Sequence, residues 1–167
     1  MSVFVYDTGA LIALERKDPE TQRFHSRLSA REGFHPPIVL VPVLAQVWCP
    51  QPGHWTPLSK ALAECVVFSA QRDLGTCGLC QAGHAVDDGK RAGVVAARAV
   101  LPAKKAPDAV DALVTVVAAR HDRAVILTSD PDDLCAYRDA LGAAGQDVAI
   151  LPVDSLRDFR SGKPTLL

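Results

Sequence analysis

The chain has 167 residues, enough to bury one hydrophobic core as a single domain. With 49% hydrophobic residues, 22% charged residues and a net charge of −1, it is neither a disordered polyelectrolyte nor a polycation. A polyanionic partner would have to be gripped locally, by a metal ion and a few basic side chains.

The N-terminal run Met1–Asp7 lacks a basic lead and is too short for a secretory leader. The longest apolar stretch, Ile38–Trp48, is interrupted by Pro42 and Gln46 and falls far short of a bilayer span, so no membrane association is expected. Five scattered cysteines, an odd number, favour reduced thiols and a cytoplasmic location over a disulfide framework.

In chain order, Val3–Tyr6 reads as a short buried strand and Gly9–Arg16 as a helix with Ala10, Leu11 and Leu14 on one face. Asp18-Pro19 is a cap followed by a first-turn proline, predicting a helix from Pro19 to about Arg31. Ile38–Val41 is a candidate second strand or a buried lead-in, and Pro42 is placed to open a helix carrying Gln46. Thr56-Pro57 repeats the cap-then-proline signal before a Leu58–Glu64 helix, and Cys65–Ser69 is a third strand.

The glycine-spotted segment Arg72–Asp87 reads as a loop or insertion, followed by an Asp88–Val100 helix. Asp108–His121 is a helix, Ala124–Thr128 a strand, Pro131–Ala144 a helix and Val148–Val153 the last strand. The tail, 158–167, is expected to be loose. Apolar strands alternating with helices predict an α/β fold: a single-domain α/β/α sandwich over residues 1–157, around a mostly parallel sheet.

Three acids fall where such a chain leaves its sheet. Asp7 follows the first strand, Asp111 lies in the opening turn of the Asp108–His121 helix, and Asp130 follows the Ala124–Thr128 strand. Those exits converge on one edge of a parallel sheet, the usual ligand crevice. Clustered carboxylates repel one another unless a hard cation joins them, which points to a magnesium-type site. Capping is the competing account: Asp7 and Asp130 both stand where an N-cap belongs, and Asp133 sits at the third position of its helix, in a near capping box. Capping does not need three acids within Asp130-Pro131-Asp132-Asp133, and a cation or an incoming cationic side chain would explain the surplus. Asp111, flanked by Val110, Ala112 and Leu113, is not explained by capping; an acid in that setting is either near the surface boundary or paired in a site, and the site is favoured. Asp108, one turn earlier, suits the helix dipole.

The segments Val3–Asp7 with Thr8-Gly9-Ala10-Leu11, Pro107-Asp108-Ala109-Val110-Asp111-Ala112-Leu113 and Val125-Ile126-Leu127-Thr128-Ser129-Asp130 together resemble a PIN domain, in particular the VapC-type toxins of bacterial toxin–antitoxin pairs. The resemblance runs over almost the whole chain in order and spacing and is blurred between about residues 50 and 100. It implies that Asp7, Asp111 and Asp130 are catalytic metal ligands, with Asp133 as an auxiliary acid. Thr128 or Ser129 would then be the orienting hydroxyl, with Thr8, Gln46 and Asp108 around the site. It further implies Mg²⁺ or Mn²⁺ as cofactor, hydrolysis of RNA phosphodiester bonds, a cognate antitoxin as partner and a homodimer. Gln46 occupies the slot where the family carries a Glu. The loss of that charge weakens a metal site and raises the alternative of a catalytically weakened PIN-like protein that binds RNA or a protein.

Other features carry less. Arg16, Arg27, Arg98 and Arg138 are candidates for phosphate contact, against the alternative of solvated helix faces. Cys77-Gly78-Leu79-Cys80 with His84 invites a zinc or a redox reading, but it offers only three of four zinc ligands and lacks a flanking βαβ thioredoxin pattern, so small core or loop residues are the simpler reading. His25, His35, His54 and His121 show no ligand spacing. A dehalogenase-type phosphatase using Asp7 as nucleophile is set aside, because Gly9 stands where that chemistry needs a second Asp.

Overall fold

β1 (Val3–Tyr6) is buried along its whole length, as is β4 (Ala124–Thr128), and the two pair in parallel with Val5 opposite Ile126. On the other side of β1 lies β2 (Ile38–Leu40), then β3 (Val66–Phe68); beyond β4 lies β5 (Val148–Pro152). The order β3-β2-β1-β4-β5 is parallel throughout. The chain winds outward one way from β1 to β3 and the other way from β4 to β5. The reversal falls between β1 and β4, the point at which an open α/β sheet leaves a crevice at its carboxyl edge. This structure, a computed structural model, describes residues 2–30, 35–48, 55–68, 86–102 and 105–161.

Seven α-helices cover the sheet among the described residues. α1 (Thr8–Glu15) packs on β1 and β4 and on α2 (Pro19–Ser29), α3 (Val41–Val47) and α4 (Trp55–Leu62). α6 (Ala109–Ala118) also packs on β1 and β4, but with α5 (Val86–Arg98) and α7 (Pro131–Ala140) as its helical neighbours. Two helical groups around one parallel sheet make the expected α/β/α sandwich. Every residue of α6 from Ala112 to Ala118 is buried, which is why its sequence is apolar on all sides.

Local chemistry sets the boundaries. Asp18 caps α2 through the Thr21 amide at 2.8 Å and the Thr21 hydroxyl at 2.7 Å, with Pro19 in the first turn. Lys17, at φ 59°, lets the chain turn sharply between α1 and α2. Helix α7 ends at Ala140, short of the expected Ala144, because Gly142 adopts φ 61° and a 3-10 turn, Gly142–Gly145, follows. A last 3-10 helix, Val153–Ser161, carries regular structure a few residues into the segment expected to be loose. The Arg72–Asp87 prediction lies largely outside the described residues, which resume with Val86 and Asp87 already helical. Cys49, His54, Cys77, Cys80 and His84 also lie outside them.

Candidate functional site

The two strands flanking the switch point deliver the first half of the site. Asp7 leaves β1, and Thr128 ends β4 beside it. The Thr128 hydroxyl donates to Asp7 Oδ2 at 2.8 Å, joining residues 121 apart in sequence, and accepts from the Asp130 amide at 2.9 Å. Thr128, rather than Ser129, is therefore the hydroxyl that orients Asp7. Ser129 matters through its closeness to the α1 N-terminus: a Cβ on Gly9 would stand 2.5 Å from the Ser129 amide nitrogen. Glycine at position 9 is what lets β1, α1 and the 129–130 turn meet.

Asp7 stands at the N-cap position of α1, yet its side chain makes no capping bond. It is 5% exposed, and Oδ1 is buried with no hydrogen-bond partner. Burial pushes its carboxyl up. The Thr128 hydroxyl and the Thr8 and Gly9 amides oppose that shift, and the Asp108 charge adds to it. No capping bond of good geometry therefore accounts for Asp7, although the first-turn amides still favour its charge. A buried, half-unsatisfied carboxylate is costly unless something else comes to meet it.

The second half comes from α6 and α7. Asp108 is the true cap of α6, accepting from the Val110 amide at 2.7 Å, while its own amide donates to the Tyr137 hydroxyl at 2.7 Å. Asp111, one turn on, is half-buried. Its carboxyl is pushed up to about 7, first by burial and then by the charges of Asp7, Asp108, Asp133 and Asp130 in that order. Five carboxylates from three separate parts of the chain therefore share one field, and Asp111 lies at its focus.

Asp130 and Asp133 present a different picture. Asp130 occupies the N-cap position of α7 without a side-chain capping bond. It is turned instead toward Lys105, whose ammonium donates to Asp130 Oδ2 and, at 2.9 Å, to Asp133 Oδ2. These two acids raise the Lys105 pKa above its usual value. Asp133 is 7% exposed, and its Oδ1, like that of Asp7, is buried without a partner. The surplus acids at the start of α7 are thus met by an ammonium from the same chain. Sequence reading anticipated a cation there but did not single out Lys105; its place two residues before Pro107-Asp108 was the available signal.

Gln46, exposed on α3, closes the rim. Its Oε1 accepts from the Thr8 hydroxyl at 2.5 Å and its Nε2 donates to Asp108 Oδ2 at 3.4 Å. The nine predicted site positions are therefore linked to one another by hydrogen bonds, by Lys105, by close approach or by charge at the carboxyl edge of β1 and β4. The arginine candidates do not join them. Arg16 follows the far end of α1, about 13–14 Å along the helix from Asp7. Arg138 is in the last turn of α7, paired with Asp139 at 3.1 Å. Arg27 and Arg98 are exposed in the last turns of α2 and α5. Of the histidines, His25 is buried against the Tyr6 hydroxyl at 3.1 Å, with Glu64 3.3 Å from its other ring nitrogen. His35 is also buried, beside the Pro36 carbonyl.

The donor set is all oxygen, which suits a hard cation such as Mg²⁺ or Mn²⁺, and two of its carboxylate oxygens, Asp7 Oδ1 and Asp133 Oδ1, are buried without a partner. Among the described residues, however, no three acidic, cysteine or histidine side chains are already gathered tightly enough to hold one ion. The chemistry of the residues fits a divalent cation; with Lys105 on Asp130 and Asp133, the side chains are arranged around an ammonium.

No protein-family model, curated protein or solved structure matches the chain. Among the described residues, no helix is long and apolar enough to cross a membrane.

Proposed function

We propose that this chain is a metal-dependent endoribonuclease of the PIN type, hydrolysing RNA phosphodiester bonds at the acidic crevice. One observation carries the reading: five carboxylates converge at the topological switch point, and the buried oxygens Asp7 Oδ1 and Asp133 Oδ1 have no partner. A cleft so charged repels a phosphodiester, so the acids make sense as a binding site for RNA only with cations between them and the substrate. Asp7, Asp111, Asp130 and Asp133 would hold Mg²⁺ or Mn²⁺. Such an ion, when bound, polarises a phosphoryl oxygen and makes an attacking water more acidic.

The chain's own residues supply the rest. Thr128 fixes the orientation of Asp7, and Asp108 holds the first turn of α6 so that Asp111 faces the other acids. Asp111, whose carboxyl is pushed up to about 7 by burial and by the neighbouring acids, would give up its proton as the ion binds. Single-stranded or looped RNA suits an open crevice, because unpaired bases can be splayed out of it. The resemblance to VapC-type toxins supports a narrower role as the toxin of a type II pair, acting as a homodimer and neutralised by an antitoxin that covers the acidic cleft.

The test is cleavage of RNA with Mg²⁺ or Mn²⁺ present. Activity that requires metal and disappears in Asp7→Asn and in Asp111→Asn supports the proposal; undiminished cleavage in both variants rejects it. A second reading is favoured by Gln46: a PIN-like protein with a weakened metal site that binds RNA or a protein without cutting. Calorimetric titration separates the two, since an absence of Mn²⁺ binding at millimolar metal selects the second.

A further inference from the structure

Lys105 precedes α6 by a few residues, whereas the acids it holds open α7. The sequence separations of 25 and 28 residues make this a tertiary contact rather than a local helix pair. The lysine side chain is 41% exposed, so the ammonium reaches inward from solvent and has room to leave. Its two partners differ. Asp130 is half exposed, whereas the Asp133 side chain is largely enclosed.

Charge alone shows that the ammonium is an incomplete answer. Asp7, Asp108, Asp111, Asp130 and Asp133 bring five carboxyl groups to the crevice, and Lys105 contacts two of them. It leaves Asp133 Oδ1 and Asp7 Oδ1 buried and unsatisfied. A lysine offers three donors from a point charge on a flexible stem, so it can stand in for a cation and still withdraw. A divalent ion that used Asp130 and Asp133 would draw on the same two carboxylates that hold Lys105, and their charge cannot serve both cations at full strength.

We propose that Lys105 is an internal counter-cation that competes with the divalent ion for Asp130 and Asp133, so that loading of the site requires its displacement. The inference rests on the metal-site reading above and adds a residue that governs occupancy. Lys105 keeps the opening of α7 in place while the crevice lacks metal, and it sets the metal concentration at which the crevice fills. Nothing in this role touches a substrate; Lys105 is a positioning residue.

The experiment is calorimetric titration of Mn²⁺ into the full chain, comparing wild type with Lys105→Met, Lys105→Arg and Asp111→Asn, alongside thermal denaturation in chelator. Competition predicts that Lys105→Met, which keeps the apolar stem and loses the charge, binds Mn²⁺ about tenfold tighter, as expected for the loss of two screened charge pairs. The same variant melts lower in chelator, and Lys105→Arg stays near wild type in both measurements. If Lys105→Met binds Mn²⁺ no tighter than wild type while Asp111→Asn still weakens binding, competition is overturned and the metal site stands. If neither wild type nor Lys105→Met binds Mn²⁺ at millimolar concentration, the metal-site reading fails and the competition fails with it.

Discussion

Gln46 Nε2 donates to Asp108 Oδ2 across 3.4 Å, and through it the Thr8 hydroxyl at the start of α1 is tied to the cap of α6. The amide does what a carboxylate at position 46 could not: it accepts from Thr8 on one side and donates to an acid on the other. Gln46 is therefore fitted to a crevice whose acids are unneutralised or held only by Lys105.

Replacing it by Glu reverses that fit. Gln46→Glu sets a like charge beside Asp108, and in chelator the variant should lose about 1 kcal/mol, or about 2–4 °C in melting temperature. With excess Mn²⁺ the sign inverts, because the added carboxylate strengthens the oxygen donor set. Thermal scans with and without metal read both halves. A variant that melts like wild type in chelator would place position 46 outside the field of the acids.

Asp111 makes the metal-free protein sensitive to pH. Its carboxyl sits at about 7 in the fold against an ordinary value of 3.8, so between those values the folded chain keeps a proton that the unfolded chain has released. Stability attributable to this group therefore falls as pH rises from about 4 to 7, and the loss is complete above 7. After discounting for solvent screening, the cost is about 1 kcal/mol. Metal-free wild type should melt about 1–2 °C higher at pH 5.5 than at pH 7.5, about half of the full effect, relative to an Asp111→Asn variant whose profile is flatter. Burial acts on Asp7 in the same direction and adds to the trend in both proteins. Mn²⁺ affinity should move oppositely, weakening below pH 7 as protons compete for Asp111.

Gly9 offers a test of how tightly the crevice is built. A Cβ there meets the Ser129 amide nitrogen at 2.5 Å and the Ser129 Cβ at 2.7 Å. Gly9→Ala should cost about 2 kcal/mol through overpacking and should displace the 129–130 turn. Because the clash includes backbone, adding Ser129→Gly should restore only part of the loss. Full rescue by the double variant would locate the clash in the Ser129 side chain alone.

The strands were legible because each is a continuous apolar run between turn signals, and burial on both faces is what a parallel sheet demands. Asp7 and Asp130 could be placed together because strand exits in such a sheet share one edge; Asp111 joins them because α6 leads into the amino end of β4, which leaves its first turn at the carboxyl edge. What the sequence did not show is which acids are satisfied. Asp108 caps its helix, whereas Asp7 and Asp130 stand in cap positions without capping. That distinction depends on side-chain direction, set by Thr128 and Lys105 from remote parts of the chain. Propensity rules describe a residue's own helix and are blind to partners 25 or 121 residues away.

Thr128 is the point at which stability and the proposed chemistry can be separated. Its hydroxyl donates to Asp7 Oδ2 and accepts from the Asp130 amide, so Thr128→Val removes both bonds while keeping the shape of the side chain. The β4 terminus is fully buried, and the loss should be about 2 kcal/mol. The same bond opposes the effect of burial on Asp7, so its removal pushes the Asp7 carboxyl further up. Thr128→Val should therefore need a higher pH than wild type to reach half-maximal Mn²⁺ binding, whereas Thr128→Ser keeps the hydroxyl and stays near wild type. A fall in melting temperature with no change in the pH dependence of binding would leave Thr128 a packing residue and would detach Asp7 from the ion.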